Sequence, residues 1–181
     1  MFPTHRVGCK LKTRAEAVVI ARSWLRTPYV LGGRIKGSGV DCATTLAEYL
    51  IEIGAATEAQ LVEIGFYRDG GVSHSYSSDW FCHTSSQIYL RNLMRYGKLV
   101  AETVCRGGVE AQPGDLVLFR VVQSRLYNHG AIVTEWPRGI HAQHDGVREV
   151  DLSSHPLTAF HPMDIFDPFT VSPETDPYAR I

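Results

Sequence analysis

Several features that would classify a chain quickly are missing here. There are four cysteines in 181 residues, Cys9, Cys42, Cys82 and Cys105, and no two form a CxxC pair. That spacing argues against a zinc ribbon and a thioredoxin-like redox site. No disulfide framework is signalled, so Cys9, Cys82 and Cys105 read as free or buried thiols, in keeping with cytosolic synthesis. The net charge is −1 and no basic run occurs, so nothing points to a nucleic-acid partner. No apolar run is long enough to span a bilayer. The first residues, Met1-Phe-Pro-Thr-His-Arg6, lack the apolar centre of an export signal. There is no repeat or low-complexity block. The glycines of residues 28–41 do not match GxxxxGK[ST], which leaves the phosphate-loop reading weak.

What is present is an ordinary globular composition, 44% apolar and 20% charged, in a length suited to one domain. Residues 13–25 read as a helix, with Thr13 and Glu16 as a capping box and Ala15, Ala17, Val18, Val19, Ala21 and Leu25 as its small and apolar positions. Thr27-Pro28 ends it. A glycine-rich loop follows, with Gly32, Gly33, Gly37 and Gly39. Asp41 then stands as N-cap of a second helix over residues 42–53, whose Leu46, Leu50 and Ile53 recur at three-to-four spacing before Gly54. Residues 66–83 read as a long ordered loop, and 87–96 has helical character. Pro113-Gly114-Asp115 is a turn into strands over 116–122, 130–136 and 140–142, the last two joined through Pro137-Arg138-Gly139. Everything after Asp164 reads as an extended tail. Helices first and an antiparallel sheet second make an α+β chain.

Cys42 is the residue with the most chemistry in it. It opens the second helix, where unpaired amides and the positive end of the dipole favour thiolate over thiol. A cysteine nucleophile needs a base, and the base needs a group that fixes its tautomer. If the strands pair across residues 137–139, His129 and His141 fall on neighbours, and His141 can bond the far nitrogen of His129. His141-x-x-His144 has the look of a metal pair, but a strand puts residues three apart on opposite faces. No metal and no cofactor is expected.

Four blocks in order resemble the NlpC-type cell-wall peptidases, papain-like cysteine hydrolases of bacteria and phages. They are Thr27-Pro28-Tyr29-Val-Leu-Gly32-Gly33, Asp41-Cys42, Pro113-Gly114-Asp115-Leu-Val-Leu-Phe119, and Asn128-His129-Gly130-Ala-Ile-Val with Ile140-His141-Ala142 and Gly146-Val147. The resemblance covers residues 14–150 and implies a papain-like fold carrying N-terminal helices on a central antiparallel sheet. It implies Cys42 as nucleophile, His129 as general base and acid, and His141 as orienting residue. The Cys42 amide becomes an oxyanion donor, Tyr29 a support beside the nucleophile, and Asp41 chiefly a cap. Gly32, Gly33, Ala43 and Trp80 are candidates for the substrate cleft. Where the family commonly has Asp-Cys-Ser-Gly-Leu, this chain has Asp41-Cys42-Ala43-Thr44-Thr45-Leu46, so peptide specificity differs at a subsite.

Tyr76-Ser-Ser-Asp79-Trp80-Phe-Cys-His83, Tyr89-Leu90 and Phe119-Arg120 resemble the branch found in phage tails and gene transfer particles. That likeness implies a virion component made in the host cytoplasm without a signal peptide, sited at the tail tip and acting in the periplasm or cell wall. Its partners would be a peptidoglycan stem peptide and other tail-tip or baseplate proteins. The rival expectation is a structural tail-assembly protein with a vestigial or gated site, docking through an insertion at 55–110.

Overall fold

A computed structural model describes residues 10–63, 66–67, 93, 95–104, 111–121, 124–154 and 163–170. Helix α1 spans Arg14–Arg22. Thr13 accepts from the Glu16 amide while the Glu16 side chain takes the Thr13 amide, so both halves of the expected capping box are formed. The helix is shorter than the pattern predicts. After Arg22 the chain tightens into i→i−3 bonds, and Arg26 adopts φ 67 so that its amide reaches the Val147 carbonyl. The buried stripe is Ala17, Ala21 and Trp24, at i, i+4 and i+7, whereas Val19 is 69% exposed. Val19 was expected among the apolar positions of this helix, and it falls on the solvent side of the turn.

Residues 28–41 are more than a loop. They hold a two-stranded ribbon of β1 (Arg34–Ile35) and β2 (Gly39–Val40). A Cβ at Gly33 would lie 2.6 Å from the Gly39 carbonyl oxygen, so glycine is what lets the ribbon close. Helix α2 follows at Cys42–Glu52 and is buried along most of its circumference. A short helix α3 occupies Glu58–Glu63.

The main sheet has six antiparallel strands in the order β3-β8-β4-β5-β6-β7. They are β3 (Lys98–Val104), β4 (Leu116–Phe119), β5 (His129–Glu135), β6 (Arg138–Gln143), β7 (Gly146–Asp151) and β8 (Met163–Asp167). Two expectations are corrected by this topology. The tail expected after Asp164 starts later, because Met163–Asp167 is an interior strand, bonded to β3 on one side and β4 on the other. Within 55–110, Lys98–Val104 is an edge strand of the main sheet rather than insertion. The predicted turn at 113–115 and the β5–β6 hairpin are both present. Gly114 takes φ 88 after Pro113, as a type II turn requires.

Alternate residues of the strands feed two apolar clusters, one on each face of the sheet. Leu116, Leu118, Ile132, Ile140 and Phe166 meet α1 and α2, while Val117, Phe119, Ala131, Val133 and Ile165 form the other cluster. Gly130 governs how closely α2 approaches β5. A Cβ there would fall 2.7 Å from Leu46 Cδ1. The residues predicted as loop at 68–83 and as helix at 87–92, and the cysteines at 9, 82 and 105, lie outside the described residues. Among the described residues no helix is long and apolar enough to cross a membrane.

Candidate active site

Asp41 sets the geometry around Cys42. Its Oδ1 accepts from the Ala43 and Thr44 amides, each at 2.9 Å, which caps α2. The Thr44 hydroxyl in turn accepts from the Asp41 amide at 2.9 Å. Its Oδ2 accepts from the Gly32 amide at 2.7 Å. One buried carboxylate therefore ties the helix that carries Cys42 to the turn that carries Gly32. That turn closes through Gly33 N–H to Val30 O, with Gly32 at φ 71 as its third residue.

Cys42 stands at the first position of α2 and is partly exposed. Its Sγ lies 3.8 Å from the Asn128 carbonyl oxygen, a distance at which the thiol donates. Burial, and then the nearby Asp41 carboxylate, push the thiol up to about 12, against the pull of the Ala43 and Cys42 amides. This reverses the expectation that the helix start would favour thiolate. The amides act in the expected direction, but desolvation and Asp41 outweigh them.

Asn128 is held firmly in place. Its side-chain oxygen accepts from the Val121 amide at 2.8 Å and its amide donates to the Val121 carbonyl at 3.2 Å. The next residue, His129, begins β5 and is 8% exposed. His129 Nε2 is 2.9 Å from His141 Nδ1, across the β5–β6 hairpin as the pattern predicted, and His141 is fully buried. Both rings pack on Phe119, at 5.0 and 6.5 Å between centroids. On its far side, His141 Nε2 lies 2.6 Å from the Gln143 side-chain amide.

Tyr29 is set between the Val147-bonded Thr27-Pro28 segment and Val40, to which it forms a bridge. Burial pushes its phenol up to about 12, with the charges of Cys42 and Asp41 adding to it. Ala43 is 7% exposed and packs in the core beside α1 and the sheet. Gly32 and Gly33 line the turn tethered by Asp41, and Trp80 lies outside the described residues. Among the described residues no cluster of His, Cys, Asp or Glu has the makings of a metal site.

Four residues in these contacts escaped the sequence reading. Thr44 was noted only as a departure from a motif, and it completes the cap. Asn128 and Gly130 flank His129 inside a quoted block, but without an assigned task. Gln143 carries a legible signal, since residues 141 and 143 share one face of a strand.

No family model matches the chain, and no curated protein does. Its fold does match solved structures. An NlpC/P60 family protein from Bacillus cereus superposes with a TM-score of 0.54 at 17% identity, over 88% of this chain and 41% of that one. NlpC1 from Trichomonas vaginalis gives 0.52 at 14% identity, over 89% and 45%. NlpC2 from the same organism gives 0.52 at 13% identity, over 93% and 50%. The chain thus spans half or less of the length of each. The α+β architecture, α2 laid on a six-stranded antiparallel sheet, is the papain-like NlpC/P60 fold.

Proposed function

We propose that this chain is a cysteine hydrolase that cuts an amide bond in peptidoglycan stem peptides. Cys42 is the nucleophile, His129 the general base and acid, and His141 the residue that orients His129. The observation that carries the reading is the meeting of α2 with β5. The Cys42 sulfur touches the carbonyl of the residue before His129, and His129 is bonded through Nε2 to His141. The substrate class rests on the four-block resemblance, together with the NlpC/P60 fold.

In the forward step His129 takes the thiol proton as sulfur attacks the amide carbon. The tetrahedral oxyanion forms next to the Cys42 amide, where a preorganised donor is worth most. His129 then passes the proton to the leaving amine, and a thioester remains on Cys42. Water attacks the thioester, giving a proton to His129, and the acid product leaves as the thiol is restored. Tyr29, whose phenol feels the charge of Cys42, would support the same oxyanion or the bound peptide.

The test is digestion of purified sacculi with analysis of the released peptides. Cys42→Ala should abolish release while leaving the unfolding midpoint near that of the wild type, and His129→Ala should abolish release as well. Digestion by Cys42→Ala at the wild-type rate would sink the assignment. The finer proposal is a phage-type tail component that opens the wall, and it rests on the resemblance of residues 76–90 and Phe119-Arg120. Association with isolated tail tips would support it. The second reading is a tail protein with a gated site, motivated by residues 55–110 as a docking segment, and a thiol pushed up by burial fits a closed site as well as an active one. Absence of both hydrolysis and Cys42 labelling, with stable incorporation into a tail tip, would decide for it.

A further inference from the structure

The chain of contacts does not end at His141. Its Nε2 meets the Gln143 amide at 2.6 Å, its Nδ1 meets His129 Nε2 at 2.9 Å, and both rings are buried. Two neutral imidazoles in such a row carry one proton each, and every contact needs one donor and one acceptor. Only two arrangements satisfy that. In the first, His129 donates from Nε2 to His141 Nδ1, and His141 donates from Nε2 to the Gln143 carbonyl. His129 Nδ1 is then bare and able to take a proton. In the second, the Gln143 NH2 donates to His141 Nε2, His141 donates from Nδ1 to His129 Nε2, and His129 Nδ1 already holds a proton. The two differ by a half-turn of one amide, whose ends have the same shape. The amide nitrogen is the end nearer His141 in the structure, which corresponds to the second arrangement.

We propose that Gln143 is a positioning residue that sets the proton direction of the His141–His129 pair, enabling His129 as a base only when its carbonyl faces His141. This builds on the hydrolase reading above. Gln143 is well placed for the task. It is the last rung of β6, paired with Gly146, and it shares a strand face with His141. The next residue on β7, Val147, is bonded in both directions to the Arg26–Thr27 segment, so the hairpin end is clamped beside the segment leading to Tyr29. A residue that only filled space there could be replaced by methionine, which has nearly the same volume. A residue that sets a tautomer could not, while glutamate, an acceptor alone, would lock the enabling form.

Two measurements on the full chain test this. Ring nitrogens of 15N-histidine-labelled protein, above the ordinary imidazole range, report which nitrogen of His129 carries the proton. In Gln143→Glu the proton should sit on Nε2. In Gln143→Met the population should shift toward Nδ1 or divide between the two. An identical His129 tautomer in wild type, Gln143→Glu and Gln143→Met overturns the proposal, whether or not the protein hydrolyses anything. In sacculus digestion, Gln143→Met should lower kcat by roughly 10- to 100-fold, part of the 10²–10⁴ that general base catalysis supplies, with KM unchanged. Gln143→Glu should recover kcat to within about threefold. A Gln143→Met protein with wild-type kcat would also overturn it. Absence of activity in the wild type would instead strike the hydrolase reading and leave the nitrogen spectra to decide this one.

Discussion

Replacing Asp41 with asparagine should make the protein less stable and its thiol more acidic at the same time. The carboxylate is 1% exposed and divides its oxygens between two tasks. One caps α2 through Ala43 and Thr44, and the other accepts from Gly32 at 2.7 Å. Asparagine caps a helix about as well as aspartate does. Its remaining end is an NH2, which would face the Gly32 N–H, donor against donor. A buried amide left without an acceptor costs about 1–3 kcal/mol. Turning the amide over restores Gly32 and forfeits the cap instead, at about 0.5–2 kcal/mol. Either way the loss is on the order of 1 kcal/mol or more, and in a chain of this length each kcal/mol lowers Tm by roughly 2–4 °C.

The thiol moves the other way. Asp41 is the second cause, after burial, of the rise in Cys42 to about 12, so removing its charge lowers that value. Urea unfolding measures the first effect, and the pH dependence of alkylation by iodoacetamide the second. A variant as stable as wild type would mean that the Gly32 tether contributes nothing. A thiol that ionises no more easily than in the wild type would mean that the sulfur does not feel the Asp41 charge.

Alkylation of wild-type Cys42 should keep accelerating with pH past the ordinary thiol range of about 8.5, toward about 12. A plateau already reached below neutral pH would reveal a preformed thiolate–imidazolium pair and refute the description. The same shift has a stability consequence. The folded state holds this proton more tightly than the unfolded one, so the contribution is complete below about pH 8.5 and is lost as pH rises toward 12, amounting to about 2 kcal/mol by pH 10. Cys42→Ala should therefore lose less stability than wild type between pH 7 and 10 in denaturant titrations. Gly130→Ala should cost about 1–3 kcal/mol through overpacking against Leu46. Leu46→Ala in the same chain should return part of that loss, so a strictly additive pair would contradict the close approach of α2 to β5.

The sequence was most legible where a feature is local. Thr13 with Glu16, Asp41 before Cys42, and Pro113-Gly114-Asp115 are all written in neighbouring residues, and all form as expected. The meeting of His129 with His141 was legible too, because a short hairpin sets the two strands side by side and lets diagonal neighbours on one face touch. Strand β8 was not. It lies between β3 and β4 with all five of its residues buried, so Met163-Asp-Ile-Phe-Asp167 shows no alternation of apolar and polar positions. Its two aspartates look like solvent residues in a list, yet Asp164 accepts from the Tyr127 hydroxyl and Asp167 from Arg14 at 2.9 Å. Helix α1 ends before the proline requires it to, since Pro28 is only a late limit. The earlier stop at Arg22 comes with Arg26 turning to bond β7, a contact 121 residues away in sequence. Thr44 and Gly130 were opaque for the same reason, since their importance lies in what the fold brings against them.

The direction of the thiol shift changes what the neighbouring residues must do in the proposed mechanism. Were Cys42 a thiolate at rest, His129 would already be an imidazolium, and its tautomer would carry no information. A neutral thiol donating to the Asn128 carbonyl gives up its proton only if His129 presents a bare nitrogen when the peptide arrives. The choice of tautomer then lies on the reaction path, and Gln143 acquires leverage through two rings. The amides at the start of α2 likewise change role. They do not hold a resting thiolate, because burial and Asp41 outweigh them. They remain as fixed donors in a partly desolvated place, where they count most once negative charge appears on sulfur or on the substrate oxygen. Burial disfavours the unliganded thiolate, and bound substrate brings the charge that those donors are positioned to meet. In the proposed mechanism the features that raise the thiol would suppress reaction without substrate, and the orientation of Gln143 would govern whether His129 can take the thiol proton.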